Sequence, residues 1–132
     1  MKLIVCLDDN NAMAFYNRRQ SSDIAVVHKI AEFTQGQNLW MNSYSGYLFA
    51  DFKENIRIAD DFLTQAKEED FCFAEISDVH SYIPKVREVY IFRWNRVYPG
   101  DLYFPKIPAK KQVLAEFSGK SHERITLEVY HL

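Results

Sequence analysis

Glycine is scarce in this chain, with four residues in 132, and no two of them form a phosphate-cradling loop. That removes the P-loop and the glycine-rich dinucleotide turn, where backbone must come close to phosphate. A Gly-x-Ser-x-Gly nucleophile elbow is missing as well. Cysteine is nearly absent: Cys6 and Cys72 alone make neither a zinc site nor a disulfide framework. Each lies in an apolar run and reads as a buried free thiol. The four histidines, His28, His80, His122 and His131, are scattered, with no His-x-His or His-Glu-x-x-His spacing, so no metal site is expected. Basic charge is not in excess: 16 Lys and Arg face 18 Asp and Glu, a net charge of −2. Generic nucleic-acid binding through a basic face is therefore not favoured. No apolar run approaches the roughly 20 residues of a membrane span, and "MKLIVCLDDN" is too short for a secretory signal. These absences give the expectation of a cytoplasmic protein with no membrane partner.

What is present is a core. Hydrophobic residues make up 48% and aromatics 15% of the chain, enough for one domain over residues 1–132. "KLIVCL" (2–7) and "FCFAEI" (71–76) are continuous apolar runs, which suits parallel strands buried on both faces. "NLWM" (38–41) reads as a shorter strand. "DDNNAMAFYNRRQSS" reads as a loop. Ser22 then offers an N-cap, with Asp23 in the first turn of a helix through "DIAVVHKIAEF". Its apolar face carries Ile24, Val27 and Ala31, widened by Val26, Ile30 and Phe33. Ser43 is positioned to cap a second helix with Tyr44, Tyr47, Leu48 and Phe52 at helical spacing. Residues 53–70 are polar, with one short helical piece at "ADDFLTQA", and "DVHSYIPKV" suits one or two helical turns. Then the pattern changes. "REVYIFRW" (87–94) alternates, Val89 and Ile91 opposite Tyr90, Phe92 and Trp94. "QVLAEFS" (112–118) and "ERITLEVYHL" (123–132) flank a polar turn and read as an antiparallel hairpin. The expected fold is a single α/β domain, a mixed and mostly parallel sheet with flanking helices and a C-terminal hairpin.

One stretch is more specific. "IPKVREVYIFRWNRVYPGDLYFP" (83–105) runs from Ile83-Pro84-Lys85 through Val89-Tyr90-Ile91 to Gly100-Asp101-Leu102-Tyr103-Phe104-Pro105. It resembles the C-terminal third of dihydrofolate reductase. In that family a Leu-Pro…Lys segment leads through a Tyr-bearing strand to Gly-Asp-x-(Tyr/His)-Phe-Pro and a last hairpin. "KLIVCL" is similar to the family's first strand. "LWMNSYSGYLF" resembles its strand-to-helix step, and Asp23 falls where the family's substrate-binding acid opens the first helix. The resemblance thus implies a dihydrofolate-reductase-like fold.

The departures from the family pattern concern the cofactor. Where the family has Gly-Arg-x-Thr after the second strand, this chain has Asn42, Ser43, Tyr44 and Ser45, so only the Ser45 hydroxyl survives. The missing Arg would have made a bidentate phosphate contact. The family's Gly-Gly pair is replaced by Glu75 and Ile76, which would repel and block a pyrophosphate. Only residues 52–70 stand where the family places its adenosine-binding section. The resemblance therefore implies a trimmed member lacking the cofactor-binding section, with no cofactor and no reductase activity.

Ligands of open α/β sheets bind beyond the carboxyl ends of the parallel strands. The ligand-binding candidates there are Asp8, Arg18, Asp23, Asn42, Ser43, Ser45 and Glu75. Asp23 could hold an amidine-like or amino-heterocyclic edge by charge-assisted hydrogen bonds, or serve only as a helix-dipole partner. Asp8-Asp9 reads as turn chemistry rather than a metal site. His122-Glu123 reads as a solvated turn, and "RWNRVY" (93–98) as a strand end rather than a base-stacking platform. No catalytic residue is assigned. Three classes of function remain: a ligand-binding or protein-interaction module, an enzyme acting on a small nucleotide- or pterin-like ligand, and an RNA-binding or RNA-cleaving protein. The expected partner is a small molecule or a protein, with RNA less favoured and the oligomeric state open.

Overall fold

The computed structural model describes residues 1–132. The elements run β1 (Lys2–Leu7), β2 (Ala12–Phe15), β3 (Arg18–Arg19), α1 (Ile24–Phe33), β4 (Leu39–Met41) and α2 (Ser43–Gly46). They continue with β5 (Ile56–Ile58), α3 (Phe62–Gln65), β6 (Phe71–Phe73), β7 (Glu88–Arg93), β8 (Leu102–Tyr103), β9 (Lys111–Phe117) and β10 (Ile125–His131). Short 3-10 turns extend α2 over Tyr47–Phe49 and precede β7 over His80–Lys85.

Seven strands form the main sheet in the order β5-β4-β6-β1-β7-β10-β9. The apolar run of β1 takes the central place, parallel to β6 on one side and β7 on the other. Strand β4 is parallel to β6 and β5, while β10 is antiparallel to both β7 and β9. The parallel strands and the terminal hairpin therefore stand as the sequence patterns expect.

Alternation along the strands divides the core between the two faces of the sheet. Leu3, Val5 and Leu7 join Val89 and Ile91 in one cluster. Ile4, Phe73, Phe92, Trp94 and Ile125 join Val26, Val27 and Ile30 of α1 in the other. Burying a side chain the size of Phe92 or Ile30 stabilises the fold by about 1.5–3 kcal/mol.

Several local expectations are corrected. Asp23, not Ser22, is the N-cap of α1, its backbone extended and its carboxylate accepting from the Ala25 amide. Of the expected apolar face Val26, Val27 and Ile30 are buried, but Ile24 lies outside, 45% exposed. Asn42, not Ser43, caps α2 by accepting from the Ser45 amide. The presumed loop after β1 holds a hairpin of β2 and β3, which with β8 makes a separate three-stranded sheet. Its turn places Tyr16 and Asn17 at φ of 49° and 59°. The polar stretch 53–70 contributes β5 as an edge strand beside β4.

Gly100 packs the segment before β8 closely against β2. A Cβ there would stand 2.5 Å from the Cβ of Ala12, so the β2–β8 approach requires glycine. Asp101 beside it accepts from the Tyr16 amide at 3.1 Å. The Gly-Asp of the resembling stretch is thus a packing and turn feature.

Candidate functional site

The carboxyl ends of β1 and β6 meet the N-terminus of α1 around one small crevice, and three carboxylates are fixed in or beside this region. Asp8, at the end of β1 and fully buried, accepts from the amides of Asn10 and Ala12, both at 2.9 Å. Its second oxygen accepts from Gln20 Nε2 at 3.2 Å and the Tyr98 amide at 3.1 Å. Four donors on one buried carboxylate tie the loop after β1 to the segment before β8, and no face of Asp8 is left open.

Asp23 is 4% exposed. Oδ1 accepts from the Ala25 amide at 2.9 Å and the Lys120 amide at 3.0 Å. Oδ2 accepts from the Ser121 amide at 2.9 Å, Ser121 Oγ at 3.1 Å and His122 Nδ1 at 3.1 Å. Burial alone would raise its pKa. The three amides and the imidazole outweigh burial and hold the carboxyl well below its ordinary range. The β9–β10 turn therefore folds over the α1 N-terminus and occupies the acid. Gly119 allows this approach, because a Cβ there would stand 2.1 Å from Asp23 Oδ2.

His122 is buried with this acid, its side chain 3% exposed, and it stacks on Trp94 with centroids 4.4 Å apart. With Nδ1 turned to the carboxylate, the network assigns the proton to Nδ1. Nε2 then faces Ser21 Oγ at 3.0 Å and the Tyr98 hydroxyl at 3.1 Å. The solvated turn expected at His122 is thus a buried polar centre. Trp94 is covered by it and offers no free face for base stacking.

Glu75 follows β6 and meets Arg19 of β3 in a bidentate pair, Nε–Oε2 at 2.8 Å and Nη2–Oε1 at 2.9 Å. Ser45 Oγ donates to Oε1 at 2.8 Å. The guanidinium lies over the Tyr44 ring at 4.3 Å, and the Tyr44 hydroxyl accepts from the Arg19 amide at 3.0 Å. This hydrogen-bonded carboxylate raises the Arg19 pKa further, against the opposing effect of burial. Of the paired arginines it is Arg19, not the candidate Arg18, that enters the cluster; Arg18 is exposed.

Asp23, Glu75 and Ser45 are thus brought together, with Asn42 behind Ser45 as its cap. Asp8 sits under the loop, and Ser43 lies on the outer surface. Ser21 escapes the sequence reading, Arg19 falls on the covering loop without being a candidate, and His122 reads as part of a solvated turn. The contact of His122 with Asp23 spans 99 residues, and no local pattern carries it. Between these groups the remaining crevice holds about 10 Å³, walled by Cys6, Val27, Phe73 and Trp94 among others. Burial pushes the Cys6 thiol well above its ordinary pKa and that of Cys72 up to about 12, so neither is a ready nucleophile. An apolar concavity lies elsewhere. It is a groove of about 350 Å³ beside β5, lined by Tyr47, Phe49, Ile56 and Ile58. No group of three His, Cys, Asp or Glu side chains is placed to hold a metal ion, and no helix is long and apolar enough to cross a membrane.

No protein-family model matches this chain, and no curated protein matches it in sequence. Among solved structures it is similar to the dihydrofolate reductase from Enterococcus faecalis complexed with NADP(H) and RAB-propyl. That superposition has a TM-score of 0.62 at 14% identity and covers 98% of this chain and 94% of that one. Identity at that level speaks to architecture alone. The order of strands around β1, the helix opened by Asp23 and the terminal hairpin make this a dihydrofolate-reductase-like fold.

Proposed function

We propose that the protein is a ligand-binding or protein-interaction module on a reductase-like scaffold, without reductase activity. One observation carries this reading. The cleft at the strand ends is closed by the chain itself, with every acceptor of Asp23 engaged and Glu75 locked by Arg19 and Ser45. A crevice of about 10 Å³ is far below the few hundred Å³ of ordinary small-molecule pockets. Glu75 further supports the absence of a dinucleotide, because an anionic pyrophosphate would have to displace Arg19 from it. A cationic ligand reaching Asp23 would first have to lift the 119–122 turn. Two free thiols, Cys6 and Cys72, fit a reducing cytoplasmic setting.

Calorimetric titration with NADPH tests the reading. No heat of binding up to millimolar cofactor is expected. A micromolar dissociation constant would overturn it.

A further inference from the structure

Ser21, His122 and Asp23 form a connected set that the binding reading leaves unused. Ser21 Oγ is 3.0 Å from His122 Nε2, and His122 Nδ1 is 3.1 Å from Asp23 Oδ2. The order is nucleophile, base and orienting carboxylate, the relation that activates a serine hydroxyl on unrelated folds. Each member is held by something else as well. Asp23 is fixed by the amides of Ala25, Lys120 and Ser121. The imidazole is clamped in one orientation by its stack on Trp94. Ser21 is partly exposed and lines the small apolar crevice with Cys6, Val27, Phe73 and Trp94.

We propose that Ser21 is an acyl-transfer nucleophile, with His122 as its base and Asp23 as the positioning residue, acting on small acetyl esters. Ser21 Oγ adds to the ester carbonyl carbon while its proton passes to His122 Nε2. The carbon–oxygen bond to the alcohol breaks, and His122 returns that proton to the leaving oxygen. Water then adds to the acyl-Ser21, giving a proton to Nε2, and the acid departs as the Ser21 oxygen takes the proton back. Asp23 keeps the Nδ1 proton facing away from the reaction and stabilises the imidazolium that forms.

The crevice sets the substrate class. About 10 Å³ is near the space of one water-sized sphere, which admits the methyl of an acetyl group and no longer chain. Tyr98 competes with Ser21, because its hydroxyl reaches the same Nε2 at 3.1 Å and a neutral imidazole offers one lone pair there. Tyr98 does not line the crevice, so Ser21 is the member that meets substrate.

This activity goes beyond the binding reading and fails independently of it, since cofactor titration says nothing about Ser21. The test is reaction of the full chain with p-nitrophenyl acetate, quenched in acid and followed by intact mass and peptide mapping. One adduct per chain on Ser21 is expected, absent from Ser21→Ala and at least about 100-fold slower in His122→Gln, the lower range for a lost general base. Tyr98→Phe should react several-fold faster, which a purely structural role for His122 would not produce. p-Nitrophenyl acetate should be turned over faster than p-nitrophenyl butyrate, and the reverse order would overturn the assignment of the crevice. No adduct, an adduct elsewhere, or one formed equally fast in a folded His122→Gln would overturn the proposal. If His122→Gln does not fold, Tyr98→Phe decides: acceleration supports the assignment, and an unchanged or slower rate overturns it.

Discussion

Asp23 Oδ2 and His122 Nδ1 lie 3.1 Å apart across 99 residues of chain, joining the first turn of α1 to the turn before the last strand. On sequence alone, Asp23→Asn looks harmless, since asparagine also caps helices well. The structure gives another expectation. An asparagine can present only one oxygen, and its amide group would face donors. On the order of 3 kcal/mol should be lost, the scale of a buried carboxylate deprived of its charged hydrogen bonds. Urea unfolding of both proteins measures it. A change below about 0.5 kcal/mol, the level of an ordinary surface substitution, would show that the turn is held by other contacts.

The same acid sets a pH dependence. Its folded pKa is depressed, so its contribution is complete above the unfolded carboxylate value of about 4 and is lost as pH falls below that. Unfolding free energy should therefore drop between pH 5 and acid in the wild type and fall less steeply in Asp23→Asn. Asp78 is an internal control. The His80 amide and ring also hold its pKa low, but its side chain is 68% exposed and water screens it. Asp78→Asn should follow the wild-type profile. Parallel slopes for wild type and Asp23→Asn would assign the acid sensitivity to another carboxylate.

The legible parts of the fold were those with a period. Continuous apolar runs marked β1 and β6 as buried parallel strands, and alternation in 87–94 marked β7 with its two faces. The hairpin β2–β3 was not legible, because its turn uses Tyr16 and Asn17 at positive φ where a sequence reader looks for Asn-Gly. Strand β5 is three residues long, too short for alternation to register. At the site, Asp23 and Glu75 stood out because the resemblance pointed to their places. Their partners did not, since Arg19, Ser21 and His122 acquire meaning only through contacts distant in sequence. A histidine in a polar turn reads as solvated until the fold supplies Trp94 to cover it.

The Arg19–Glu75 pair leads to a third expectation. Glu75's side chain is 6% exposed and Arg19's 24%, so removing the arginine strands a buried carboxylate. Arg19→Ala should destabilise by about 2–4 kcal/mol, slightly under the range for a fully buried pair. Glu75→Gln keeps the shape and the contact with Ser45 and should cost less. A double-mutant cycle should return a coupling of about 1–3 kcal/mol, as for residues sharing one network. A coupling near zero would mean that the cation over Tyr44, rather than the ion pair, holds β3 against the sheet.

Gly119 controls whether the cleft can open. A Cβ at this position would fall 2.1 Å from Asp23 Oδ2, and that oxygen cannot withdraw while three donors hold it. In Gly119→Ala the turn must lift instead, at a cost of about 1–3 kcal/mol, the usual penalty of overpacking. The lifted turn takes the Lys120 and Ser121 amides away from the carboxylate and widens the crevice beside Glu75. Thermal-shift screening of pterins, nucleosides and amino-heterocycles against wild type and Gly119→Ala then separates two roles for Asp23. Cationic compounds that stabilise the variant more than the wild type would identify Asp23 as a ligand anchor held closed by the turn. If the variant is destabilised as expected and no compound shifts either protein, Asp23 serves to fasten the β9–β10 turn to α1, and ligands or partners are met elsewhere on the surface. A variant as stable as wild type would contradict the close approach of Gly119 on which the argument stands.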